Sequence, residues 1–251
     1  MAESPPFAAS FDDPRITPQF VRRVTGPTGE YLLLGVVHDH PASVARVERV
    51  LESVDPDLLA LELPAAALPL YRAYAREATA ETPPRFGGEM SAAINAAPEA
   101  TTVGIDAPNW SFVRRLVMRL LADRVSTTTA RRVISSLSGA TREALTCRLA
   151  ATLTHATSMT VACDDPIEYD CTHDESPAEQ AAHERAHVTS VQALLGSLET
   201  TDSALAYRDE TREQCMLERL EELRATTDGA VVAVVGVDHL ETLATALSAR
   251  E

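Results

Sequence analysis

The sequence predicts an α/β fold with a central, largely parallel or mixed sheet flanked by helices. Three observations support this. Continuous apolar runs of strand length recur along the chain, each bounded by turn residues, as expected of strands buried on both faces. Between them lie segments with apolar residues at helical spacing. Four of the apolar runs also stop on or beside an ionisable residue, namely His38, Glu62, Asp106 and His239. Strands alternating with helices imply parallel neighbours joined by crossovers, and such sheets bind ligands outside the carboxyl ends of their strands.

In chain order, residues 1–17 are rich in proline and acid and read as a loose arm. Residues 18–251 read as a single domain, since 251 residues suit one large core. Phe20 to Val24 is a candidate strand, turned by Gly26-Pro27-Thr28-Gly29 into the apolar run Tyr31 to Val37. Val44, Val47, Val50, Leu51 and Val54 then mark one face of a helix over 43–54. Leu58 to Leu61 is a second buried strand closing on Glu62, and Pro64 opens a helix carrying Leu68 and Leu70. Gly87-Gly88-Glu89-Met90 starts another helix, reaching about Ala97, and Thr102 to Ile105 is a strand closing on Asp106. Trp110 to Ala122 reads as helix, and about 125–200 as a helical insertion or cap with an acidic loop at 164–174. A long charged helix over 205–223, the apolar strand Ala230 to Val235 and a helix over 240–247 complete the chain.

Composition narrows the function. All 22 cationic residues are arginine, against 37 acids, for a net charge of −15. A nucleic-acid surface needs clustered positive charge to displace counterions, so that class is excluded, and so is electrostatic docking on anionic lipid. The acid excess fits a halophile, whose carboxylate surface keeps the protein dispersed in salt. The four cysteines, at 147, 163, 171 and 215, form no CxxC pair and no disulfide framework. A Cys163–Cys171 pair across the acidic loop is open, with isolated thiols preferred. The amino terminus has no basic stretch followed by an apolar one, and no run is long enough to span a membrane. The expected location is the cytoplasm.

The candidate chemistry sits where the strands end. His38 and His239 each follow a glycine by three residues, in Gly35-Val-Val-His38 and Gly236-Val-Asp-His239. If these strands are parallel neighbours, the two imidazoles and the Glu62 and Asp106 carboxylates converge on one crevice as metal ligands or acid–base groups. A carboxylate closing a buried strand needs a partner. Glu89 at a helix start is held ionised by the helix dipole. Arg208, in Tyr-Arg-Asp, is a candidate for orienting substrate or stabilising an oxyanion. Two further patterns carry less weight. His38-Asp39-His40 imitates the HxH of amidohydrolase barrels, but the chain is short for a barrel, so His40 reads as a supporting or surface residue. His183-Glu184-Arg185-Ala186-His187 matches HExxH, but its polar surroundings read as a solvated helix.

Together these motifs resemble the TraB/PrgY family, within the wider TIKI/TraB and erythromycin-esterase/ChaN-like group. The pieces are Leu-Leu-Gly35-Val-Val-His38 with Ser43, Leu-Ala-Leu-Glu62 with Arg72, Gly87-Gly88-Glu89-Met90, Gly104-Ile-Asp106, Arg208-Asp209-Glu210 and Val-Gly236-Val-Asp-His239. They follow the family's order over nearly all the chain after residue 30. The resemblance implies an α/β core with paired GxxH motifs plus Glu and Arg, and a metal-dependent hydrolase activity toward peptides. PrgY-like members shut down peptide pheromones. The chain departs from the pattern in reading Gly-Val-Val-His-Asp-His and Tyr-Arg-Asp, and it ends at Glu251 with no membrane-spanning part, so neither membrane association nor the pheromone role is transferred.

The expected function is hydrolysis of a peptide or small amide or ester. A divalent ion (Zn, Mn, Co or Fe) would sit on His38, His239 and Asp106, with Glu62, Glu89 and Arg208 catalytic. The alternatives are a metal-free hydrolase using His38 and Glu62, or a non-enzymatic protein that sequesters a small peptide or other ligand. The sequence leaves a homo-oligomer open.

Overall fold

Alternating apolar strands and amphipathic helices leave both faces of a sheet to be covered, and the chain covers them in three layers. The computed structural model describes residues 11–26, 29–77, 84–106, 166–197 and 203–249, with side chains described outside 195–197 and 203–209. Five strands, β1 (Val21–Gly26), β2 (Gly29–Val36), β3 (Leu58–Pro64), β4 (Thr101–Asp106) and β5 (Val231–Gly236), form one sheet in the order β1-β2-β5-β3-β4. β1 and β2 form an antiparallel hairpin, and the remaining pairings are parallel. The sheet is therefore mixed and mostly parallel, as expected.

The period-2 alternation of each strand sorts its side chains between two cores. On one face Leu32, Leu34, Leu59, Leu61, Val232 and Val234 pack against α1 (Pro41–Val54) and α3 (Gly88–Ala96), through Val47, Val50, Leu51 and Met90. On the other, Leu33, Ala60, Val231, Ala233 and Val235 meet α5 (Ser203–Ala225) and α6 (Val237–Ser248), through Met216, Leu220, Leu240 and Leu243. The second layer packs closely on Gly35: a Cβ there would lie 2.7 Å from Leu240 Cδ2, and Leu240 would have to shift. α2 (Leu68–Ala75) follows β3 and packs on α3.

α4 (Pro177–Ser197) lies against α1. Its inward face carries Gln180, Ala181, Glu184 and Val188, all buried. The reading of the HExxH segment as a solvated helix is therefore corrected: one face is in the interior. Glu184 is fully buried because Arg46 of α1, also fully buried, forms an ion pair with it. Ser43 Oγ donates to Glu184 at 2.5 Å, and the Arg46 guanidinium also donates to the carbonyls of Arg15 and Gly35, each at 2.7 Å. Its Cζ lies 4.1 Å from the Phe20 ring centroid. With these partners the pair is not left as bare charge in an apolar medium.

Residues 11–17 of the expected arm are not loose. From Phe11 the chain packs on the first core, with Ile16 beside it, and Arg15 bridges Asp13 to Gln180 of α4. The predicted helix over 110–122 and the 125–165 part of the predicted cap lie outside the described residues. No helix among the described residues is long and apolar enough to cross a membrane.

Candidate functional site

The carboxyl ends of β2, β5, β3 and β4 carry His38, His239, Glu62 and Asp106 to one rim of the sheet, and local backbone features set their directions. β2 ends at Val36 and the chain turns through Asp39, whose φ is 56°. That left-handed residue sends His38 toward α3 and His40 toward α4. α3 starts just beneath, through Gly87 and Gly88 at φ 79° and 43°. Gly88 is needed twice over, since a Cβ would fall 2.2 Å from Asp39 Oδ1. This places Glu89, fully buried, in the first turn of α3.

Glu89 Oε1 lies 2.8 Å from His38 Nδ1, and its Oε2 accepts from the Asp39 N–H at 2.9 Å. The hydrogen bond to Glu89 raises the His38 pKa to about 9, with Asp39 and Glu62 adding to the effect against desolvation. The His38 side chain is 55% exposed. Tyr169 closes one side: its hydroxyl donates to the His38 carbonyl at 2.7 Å, and burial pushes its pKa up to about 12.

The second GxxH histidine repeats the arrangement. His239, in the first turn of α6, has Nδ1 2.9 Å from Glu213 Oε1 of α5, and Nε2 3.4 Å from Glu62 Oε1. Each motif therefore holds a histidine at Nδ1 by a glutamate. Such a carboxylate fixes the tautomer and the orientation of the ring.

Glu62 is held from three sides. Its Oε2 accepts from the Gly236 N–H at 2.6 Å, and its Oε1 accepts from Arg212 Nη2 at 2.8 Å beside His239. Burial raises its pKa, opposed by His239, Arg212 and the Gly236 amide. Asp106 receives a two-point fork from Arg212, Nε to Oδ1 at 2.9 Å and Nη2 to Oδ2 at 2.8 Å.

The six expected residues thus divide. His38 and Glu89 meet directly, and Glu62 and His239 meet directly. Asp106 joins the second group through Arg212. Arg208 belongs to α5, but its side chain lies outside the described residues. His38, His239 and Asp106 do not converge as three ligands of one ion. β2 and β4 stand three strand spacings apart, roughly 14 Å, and Asp106 is committed to Arg212. Two groups of three donors within 4.8 Å of one another are present among the described residues: His38 with Asp39 and Glu89, and His40 with Cys171 and His183. The first could hold a divalent ion through imidazole and carboxylate oxygens.

Sequence reasoning missed Arg212, Glu213, Asp39, Cys171 and the buried role of His40. Arg212 and Glu213 lie in a helix so charged that most of its charges, Arg208 apart, read as solvated. The discriminating signal was their spacing: with Cys215, Met216 and Leu220, they begin the face turned to the sheet. Cys171 is buried with a free thiol, whose pKa burial and Glu175 push up to about 11.

No family model matches this chain, and comparison with curated proteins and with solved structures gives no match either.

Proposed function

We propose that this chain is a metal-dependent hydrolase of the TraB/PrgY type that cleaves a peptide or a small amide or ester. The observation that carries the reading is the duplicated histidine–glutamate arrangement, His38 with Glu89 and His239 with Glu213, on one rim of a parallel sheet. His38, through Nδ1, with Asp39 and Glu89 would hold the ion, which would take the place of the proton shared between His38 and Glu89. Zn, Mn, Co or Fe suits that donor set. When bound, the ion lowers the pKa of a coordinated water and polarises the scissile carbonyl.

The remaining steps belong to the other group. Glu62 and His239, 3.4 Å apart, form an acid–base pair able to take a proton from the attacking water and return it to the leaving group. Arg212 positions Glu62, and Glu213 fixes the His239 ring. The crevice beside Asp39 has a volume of about 340 Å³ and is lined by Pro41, Val44, Arg85, Ile167 and Tyr169. That size favours a short peptide or a small molecule.

The test is hydrolysis of a panel of short peptides, amides and esters by the full chain purified without a histidine tag. Expected are activity lost on chelation and restored by a divalent ion, and at least about 10²-fold lower kcat in His38→Ala and His239→Ala. Activity indifferent to chelation but lost in His239→Ala replaces the metal with the His239–Glu62 pair alone. Stoichiometric ligand binding without turnover across the panel overturns the hydrolase reading.

A further inference from the structure

We propose that His40, Cys171 and His183 form a second transition-metal site, which takes zinc and clamps α4 and residues 166–176 to the start of α1. His40 is fully buried, Cys171 is 4% exposed, and the three donor atoms lie within 4.8 Å of one another. They come from two stretches distant in sequence: His40 from the N-cap of α1, and Cys171 and His183 from α4 and the loop leading into it. A buried thiol between two imidazoles is the donor set of a borderline-soft cation, and zinc is the commonest ion on it. Hard cations such as Mg²⁺ and Ca²⁺, which need oxygen ligands, are disfavoured.

The surroundings suit a cation. Glu175, hydrogen-bonded to the Cys171 thiol, and Glu179 lie close enough to act on it, and their charge opposes a free thiolate but favours a bound dication, while Glu184 is balanced by Arg46. The Tyr169 ring, 4.8 Å from that of His40, walls the group off from His38. The crevice lined by Asp39 and His173 reaches Cys171 and supplies a way in. Glu184, the residue that an HExxH site would use as its base, is held by Arg46 and Ser43. The histidine of that motif is therefore used here in a different ligand set.

In the metal-free chain, His40 Nε2 lies 3.0 Å from His183 Nδ1, and the Ala42 N–H donates to His40 Nδ1 at 3.1 Å. Those contacts place the His40 proton on Nε2. Ligation through Nε2 shifts that proton to Nδ1 and releases the Ala42 amide. The Cys171 proton leaves to solvent and the thiolate binds the ion, with no electron transferred.

Titration of the apo full chain with Co²⁺ tests the proposal, because a thiolate–Co²⁺ charge-transfer band in the near ultraviolet cannot arise from the sulfur-free His38 group. The band is expected to saturate at about one ion per chain. It should be absent in Cys171→Ser, weakened in His183→Gln, and retained in His38→Ala and Cys215→Ser. Zinc should also slow alkylation of Cys171 in the wild-type chain about tenfold, a readout that needs no variant to fold. The proposal is overturned if the wild-type chain gives no band, if the band survives Cys171→Ser, or if zinc leaves alkylation unchanged. Since His38→Ala abolishes the proposed hydrolysis and spares the band, the two readings fail separately.

Discussion

Arg46 and Glu184 lie 138 residues apart in the chain, and each satisfies the other at zero exposure. Each stands alone in its own segment as one more charge on a polar helix face, so the pair was illegible from local pattern. Only the docking of α4 on α1 creates it. Removing one member leaves an uncompensated buried charge. Glu184→Ala is expected to lower unfolding free energy by about 3–5 kcal/mol, measured by urea denaturation. A loss under about 1 kcal/mol with hydrolysis abolished would instead make Glu184 a catalytic base. Glu62, by contrast, was legible, since a carboxylate that closes an apolar strand must find partners, and it finds Gly236, Arg212 and His239.

At the scale of elements, the strands and α1 follow directly from their apolar periodicity, because burial on both faces leaves little latitude in residue type. α5 does not follow so simply. It was legible as a helix, but the face it turns to the sheet includes Arg212 and Glu213. Arg212→Lys keeps the charge but cannot reproduce the fork on Asp106. Its kcat should fall about 10²-fold, as misplaced groups usually cost, with KM little changed. Arg212 holds Glu62 below the value that burial alone would give it. Weakening that contact should move the acidic limb of the kcat profile upward in pH. A limb that stays in place would remove Arg212 from its positioning role. Glu213→Ala frees the His239 ring and should cost about 10–100-fold in kcat, read by steady-state assay, with the Cys171 alkylation rate unchanged.

For the whole molecule, the alternation of elements made a parallel sheet legible, but the strand order β1-β2-β5-β3-β4 was not. That order depends on which crossover passes over which face, and single elements carry no record of it. β5 comes last in sequence and inserts between β2 and β3, so the two GxxH motifs become neighbours only when the final strand pairs. The net charge of −15 acts on the fold as a whole. Self-repulsion of that charge destabilises the compact state, and raising salt from about 0.1 M to about 1 M shortens the screening length from about 10 Å to about 3 Å. The melting temperature should rise steadily over that range of KCl, followed by circular dichroism. A flat or falling trend would show that the acidic surface is not a salt adaptation.

The left-handed turn at Asp39 separates His38 and His40, and this has a consequence for how the protein can vary. Two residues that serve different neighbourhoods are bound to a single backbone conformation. Drift at position 39 toward a β-branched residue would strain that conformation and disturb both neighbourhoods in one step, whereas drift in Cys171 or in Glu213 touches one alone. The tripeptide is therefore expected to vary as a unit, and a variant that loses the chemistry of one histidine keeps the other in place only while the handedness of the residue between them is preserved.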